Sequence, residues 1–276
     1  MTTLTNPVRA AARPAYTRPS FFRHTACLTL RHLRAVVRIP AFLVMNVVQP
    51  LIWLLLFGQL FTSVVDIPGF TGGDNYLEYL TPGIVMMMAL FGSAWAGTSY
   101  LEDMERGVMD RFLTSPTSRG AMMVSTLVYQ ALLTLVQSLI VLGVAWLGGA
   151  RFDGGVAGIL ILLLAAMLLT ASFSALSNAA ALLARNQNVL IGISQLITIP
   201  LMFLSSALMD TSLSADWVAE VARFNPFEWA VVAGREALGA SPDWPSVWGH
   251  LGLLAVFTAV LAWVATRAFR VYQRSA

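Results

Sequence analysis

The sequence contains no lysine; all 17 of its basic residues are arginine. A Walker A phosphate loop needs its lysine at the β- and γ-phosphates, and Schiff-base chemistry needs a lysine amine, so both are excluded. The chain therefore carries no ordinary P-loop ATPase. Cysteine is nearly absent too. Cys27 stands alone, which rules out an internal disulfide and a cysteine-rich metal site. Charge of either sign is scarce: it occupies 11% of the 276 positions, against roughly a quarter in an average soluble protein. With 57% hydrophobic residues, a chain of this size cannot coat itself with a water-facing surface. The net charge of +3 is too small to indicate nucleic acid as a partner. No Gly-x-Ser-x-Gly elbow occurs, and His24, His32 and His250 lie far apart, so neither a hydrolase nor a metal centre is expected.

What the chain has instead is apolar runs. A bilayer core of about 30 Å at 1.5 Å per residue takes roughly 20 residues of helix. Six stretches reach that length without a charged side chain: Ala41–Val65, Leu80–Leu101, Ala121–Ala150, Gly154–Ala184, Val189–Met209 and Val247–Thr266. They predict an all-α polytopic membrane protein with six transmembrane helices. Ion-coupled carriers place ionisable groups at membrane depth. The centres of these runs have none, which disfavours secondary transport, a carbonyl-lined sodium site excepted.

Arginine placement orients the spans. Fourteen arginines fall on one side: the seven from Arg9 to Arg38, then Arg106, Arg111, Arg119, Arg185, Arg267, Arg270 and Arg274. Only Arg151, Arg223 and Arg235 fall on the other, together with ten of the 14 acidic residues. The bias predicts a multi-pass protein of the plasma (inner) membrane with both termini in the cytoplasm.

Residues 1–18 are rich in Thr, Ala, Pro and Arg without apolar periodicity and read as a disordered cytoplasmic arm. No apolar core follows before Ala41, so the start is not expected to be a signal peptide. Over 19–39, Phe22, Ala26, Leu30, Leu33 and Val37 recur at helical spacing, while Arg23, Arg31, Arg34 and Arg38 line another face. This predicts an amphipathic helix in the inner headgroup layer, as an anchor or as a docking element. The transmembrane domain is expected over 40–267, with a cytoplasmic tail over 268–276.

Two loops hold more than a turn requires. In the inner loop, 102–120, Met104, Val108 and Phe112 lie four apart on one helical face, with Leu101 extending the row. Glu102 and Arg106 form an i,i+4 pair in the favourable order, and Ser115-Pro116 ends the helix. Periodicity leaves two readings: a solvated cap on the bundle, or an apolar ridge fitted to a cytoplasmic partner. In the outer loop, 210–246, one short helix is expected from Ser214 through Arg223, with Trp217, Val218 and Val221 on its apolar side. Asn225-Pro226-Phe227-Glu228 then reads as N-cap, first-position proline and third-position glutamate of a helix to about Gly239. Glu228 and Arg235 share a face of it. Both segments are too short to span and fit a re-entrant helical hairpin, or interfacial helices, between the fifth and sixth spans.

The run Glu105-Arg106-Gly107, Asp110-Arg111-Phe112-Leu113, Ser115-Pro116-Thr117-Ser118-Arg119 resembles the first cytoplasmic loop of ABC type-2 (ABC-2) transporter permeases. It is closest to the drug-resistance exporter branch named for daunorubicin. The stretch from Pro200 to Ser206, through Asp216-Trp217 and Asn225-Pro226 to Arg235, is similar to that family's fifth span and outer re-entrant hairpin. Together the matches cover about residues 20–270.

The resemblance implies that the inner loop is a coupling helix docked on a separate ATP-binding subunit. Glu102, Glu105, Arg106, Val108, Arg111, Phe112, Pro116 and Arg119 would make that contact. It implies an outer re-entrant gate of Trp217, Asn225, Pro226, Glu228 and Arg235. It also implies two copies of the ATP-binding subunit and a second permease, either a homodimer partner or a sister chain. ATP and magnesium would sit on the partner subunit, with no cofactor on this chain. One departure concerns Phe227-Glu228-Trp229, where many relatives carry a small hydroxyl or aliphatic residue. The polarity of the gate is therefore expected to differ, and the relatives' substrates do not carry over.

For the path itself, Asn46 and Gln49 share a face of the first span, and Met86, Met87, Phe91 and Trp95 offer adaptable apolar surface. Gln195 adds an uncharged amide on the fifth. Interhelical hydrogen bonds for the amides and ordinary packing for the others are the simpler explanation of each residue taken singly. The Gly154-x-x-x-Gly158 spacing, at a span's edge, is a weak packing signal. A wall of amides and methionines suits a hydrophobic or amphipathic drug, antibiotic or lipid, so ATP-driven export of such a molecule is expected. A lipid-linked glycan exporter is the runner-up, although the aromatics form no continuous stripe. A non-transporting scaffold that recruits an ATPase is the alternative of a different class.

Overall fold

The computed structural model describes residues 21–38, 40–61, 75–109, 119–208 and 216–275, and among them there are helices and turns but no strand. The helices are α1 (Phe21–Val37), α2 (Pro40–Leu60), α3 (Tyr76–Ala94), α4 (Thr98–Glu105) and α5 (Arg119–Leu147). They continue with α6 (Gly155–Ala184), α7 (Gln187–Phe203), α8 (Asp216–Ala222), α9 (Pro226–Leu238) and α10 (Trp244–Ser275). Asparagines start three of them. The side chains of Asn75, Asn186 and Asn225 accept N–H groups from the first turns of α3, α7 and α9, which have no partner within their own helix.

α6 is the axis of the bundle. It packs against α3, α5, α9 and α10, and its Leu162 and Leu169 are fully enclosed. Small residues let its neighbours approach. A Cβ on Gly154 or Gly158 would stand 2.0 or 2.1 Å from the Ala237 carbonyl oxygen, so the end of α9 rests directly on the start of α6. The Gly154 N–H donates to the Leu238 carbonyl at 3.0 Å. The glycine pair that reads as a weak edge signal is the seat of a helix.

Among the described residues, four stretches are long and apolar enough to cross a bilayer: Tyr76–Glu105, Gly120–Leu147, Gly155–Ala184 and Trp244–Phe269. Val44–Leu60 and Gln187–Phe203 are shorter apolar helices. The run expected to form the fifth span thus gives less helix than its apolar length. In the fifth, the helix stops at Phe203, and 204–208 turn beneath α9 instead of continuing to Met209. Polar side chains of α9 take up the backbone groups that this turn releases. In the first, α2 is described to Leu60, and positions 62–65 lie outside the described residues. The second run is interrupted at Trp95–Gly97, between α3 and α4. The N-terminal arm at 1–18, Ser214, and Arg111, Phe112 and Pro116 of the inner loop also lie outside the described residues.

Candidate functional site

At the end of the bundle read as outer, α9 is not a surface helix. Pro226, Phe227, Glu228, Ala230, Val231, Ala233, Gly234, Ala237 and Leu238 are all buried, against α3, α6 and α10. Asn225 and Pro226 start it as the sequence predicts, with Asn225 Oδ1 accepting the Phe227 N–H at 2.9 Å. Glu228, placed to close a capping box, does something else: its Oε2 accepts the Ser206 N–H at 2.7 Å. Asn225 Nδ2 donates to the carbonyls of Leu201 and Leu204 at 2.7 and 2.8 Å. Arg235 completes the clasp through Nη1 to Ser206 Oγ at 3.0 Å and Nη2 to the Ser206 carbonyl at 2.8 Å. Its guanidinium lies 3.8 Å from the centre of the Tyr79 ring, and the Tyr79 hydroxyl donates to the same Ser206 carbonyl at 3.0 Å. Glu228 and Arg235 thus share a face and a target, Ser206. Trp217 is apart from them, on α8 and 61% exposed.

Midway along the bundle, a shallow cleft lies beside the break at Trp95–Gly97, between the α3–α4 segment and α7. Phe91, Ala94, Trp95 and Thr98 form one wall; Leu190, Ile191, Ser194, Gln195 and Thr198 form the other. Three of the expected path residues, Phe91, Trp95 and Gln195, therefore meet here. Met86 and Met87 do not: Met86 is fully buried in the core and Met87 nearly so. Asn46 is half-buried on α2, and Gln49 is exposed there.

At the opposite end, α4 carries the start of the inner loop. Glu102 and Arg106 form the expected i,i+4 pair at 3.6 Å, both exposed. Glu105 is exposed, Met104 and Val108 are half-buried, and Leu101 is buried, so the apolar row grades from core to surface. Gly107, with φ of 64°, turns the chain after α4. Arg119 begins α5. The amphipathic α1 packs on this end, where Arg31 donates to both carboxylate oxygens of Asp103. A second shallow cleft lies beside that pair, with His32, Tyr100 and Met122 among its walls. Burial, then the neighbouring Arg31 charge, holds the His32 pKa below the ordinary histidine range, with Asp103 acting against both.

Sequence reasoning missed Ser206, Tyr79 and Asp103. Each completes a contact whose other half was named, and the two halves lie too far apart in the chain for any periodicity to join them.

An all-helical bundle with several apolar helices of membrane-crossing length defines an integral membrane protein. The family model described as ABC-2 type transporter matches residues 23–238, and the chain belongs to that family as an ABC transporter permease. It is similar to the daunorubicin resistance ABC transporter permease protein DrrB1 of Streptomyces coeruleorubidus, 27% identical over 261 residues, 95% of this chain and 90% of the relative. The transport permease ycf38 of Porphyra purpurea is 28% identical over 243 residues, 85% of this chain and 82% of the relative. The doxorubicin resistance ABC transporter permease protein DrrC of Mycobacterium tuberculosis (strain ATCC 25618 / H37Rv) is 25% identical over 186 residues, 67% and 66% of the two chains.

Proposed function

We propose that this chain is the membrane subunit of an ATP-driven exporter that moves a hydrophobic or amphipathic drug, antibiotic or lipid out of the cytoplasm or inner leaflet. The observation that carries the reading is adjacency: the segment with the coupling-loop signature follows α4, whose first residue, Thr98, lines the mid-bundle cleft. The energy comes from a separate ATP-binding subunit, because the chain has no phosphate-loop lysine. The cleft wall is apolar apart from hydroxyls and one amide, so it favours molecules without a compact charge. The drug-resistance names of two relatives agree with such a substrate class.

Two copies of the ATP-binding subunit and a second permease complete the assembly in this reading. Support comes from Gln49 and Gln59 on α2 and Gln195 on α7, amides left exposed on apolar helices. In lipid such groups are satisfied by another helix. In this reading, which the arginine bias supports, both termini, the Glu102–Arg119 loop and α1 lie on the cytoplasmic side of the plasma membrane and the α8–α9 hairpin on the far side, with α9 acting as a gate.

The test is charge reversal at Arg106 and Arg111 in the assembled complex. Arg106→Glu with Arg111→Glu should uncouple ATP hydrolysis from transport while leaving membrane insertion intact. Unchanged transport by the double variant removes the coupling assignment.

A further inference from the structure

In an unbroken helix the Ala94 carbonyl would accept the Thr98 N–H, and the Gly97 N–H would reach the Ser93 carbonyl. Here the Thr98 N–H turns to the Trp95 carbonyl at 3.1 Å, and the Ala96 N–H takes the Ser93 carbonyl at 3.0 Å. Both displaced groups meet one hydroxyl. Ser177 Oγ, from α6, donates to the Ala94 carbonyl at 2.6 Å and accepts the Gly97 N–H at 3.0 Å. A side chain inserted into the helical ladder is a sufficient cause of a kink, and within a membrane it supplies the partners that lipid cannot. Gly97 permits the insertion. A Cβ there would stand 2.4 Å from the Ser177 carbonyl oxygen, so α4 lies in backbone contact with α6.

The same Ala94 carbonyl has a second donor, Ser194 Oγ of α7, at 3.2 Å. Ser194 and Trp95 both line the mid-bundle cleft. One carbonyl is therefore shared between the insertion that breaks the span and a wall residue of the candidate substrate site.

We propose that Ser177 is a positioning residue for coupling, its inserted hydroxyl setting the angle between α3, which walls the cleft, and α4, which leads into the ATPase-facing loop. A molecule seated against Trp95 that engages the Ser194 hydroxyl leaves the Ala94 carbonyl to Ser177 alone. Occupancy of the cleft then tightens the insertion and biases α4. The inference rests on the transport reading above.

The experiment uses the chain assembled with its ATP-binding subunit in lipid nanodiscs. Spin labels at Glu105→Cys and Leu183→Cys, in a Cys27→Ser background, report the distance between α4 and the end of α6. Ser177→Ala should shift that distance by about 2 Å, the scale of helix shifts in switching proteins. In unlabelled complexes it should reduce the stimulation of ATPase by the amphipathic dye rhodamine 6G by about fivefold or more, with basal hydrolysis retained. Ser194→Ala, which leaves the insertion in place, should keep the label distance and lose part of the stimulation. A Ser177→Ala complex with unchanged distance, or with a changed distance and unchanged stimulation, overturns the inference. Failure of any ATP-binding subunit to co-purify instead overturns the transport reading on which it rests.

Discussion

Arg31 of α1 and Asp103 of α4 form a two-pronged ion pair, with N–O distances of 2.6 and 3.3 Å. Seventy-two residues separate them in the chain. The pair ties the amphipathic helix to the segment that leads into the inner loop, so α1 is more than a lipid-facing anchor. With the Arg31 side chain 42% exposed, the pair contributes about 1 kcal/mol or less. Arg31→Asp and Asp103→Arg should each lower the thermal midpoint of the purified protein slightly, and the double exchange should recover it. Additive losses in that cycle would show that the two side chains do not interact.

The docking of α1 should depend on pH through His32. Its ring lies 5.4 Å from that of Tyr129 and is flanked by Arg31 and Asp103. Because the docked ring has a lowered pKa, protons bind preferentially to the undocked state. The contribution of His32 to docking is therefore fully present above the ordinary histidine pKa of about 6.5 and is lost as pH falls through the lowered value. Hydrogen exchange over α1 should accelerate at acidic pH, beyond the chemical effect of pH on exchange, and His32→Gln should abolish that difference. Equal protection of α1 in both buffers would remove His32 as the cause.

The clasp around Ser206 should hold α9 in place. Glu228→Ala leaves the buried Ser206 N–H without its acceptor, a loss of about 1–3 kcal/mol. Arg235→Met removes the bonds to Ser206 and the contact with the Tyr79 ring, and should cost about 2 kcal/mol or more. Glu228→Gln keeps an acceptor and should be milder than either. Thermal unfolding in detergent gives the order, and a Glu228→Gln loss equal to that of Glu228→Ala would mean that the charge, not the hydrogen bond, matters.

The seat of α9 on α6 should be intolerant of a single methyl group. Gly158→Ala places a Cβ 2.1 Å from the Ala237 carbonyl oxygen, and backbone cannot yield as a side-chain end can. Overpacking of this kind costs about 1–3 kcal/mol. Gly143→Ala on α5, where a Cβ meets nothing within 4 Å, should be neutral or stabilising by up to about 1 kcal/mol through helix propensity. Equal thermal midpoints for the two variants would contradict the close approach.

Much of this molecule follows from local physical chemistry. Where a helix begins depends on an asparagine cap and the residues beside it, so Asn225-Pro226 marks the start of α9 without any tertiary information. Apolar run length fixed where helices of membrane-crossing length could form, and arginine placement fixed their expected orientation. Those are properties of short windows. Partner choice is not. Glu228 has the spacing of a capping-box residue but bonds to Ser206, while the Asn225 N–H that a capping box would use donates to the Ala222 carbonyl. Gly97 reads as one small residue in an apolar run, yet Ser177 from another helix makes it the site of a break. Met86 offers the flexibility of a binding wall, but α9 fills the space beside it and makes it core. Residues with no ionisable neighbour in sequence acquire one in space. In a lipid-facing protein every released backbone group must find a protein partner, and only the tertiary fold decides which one.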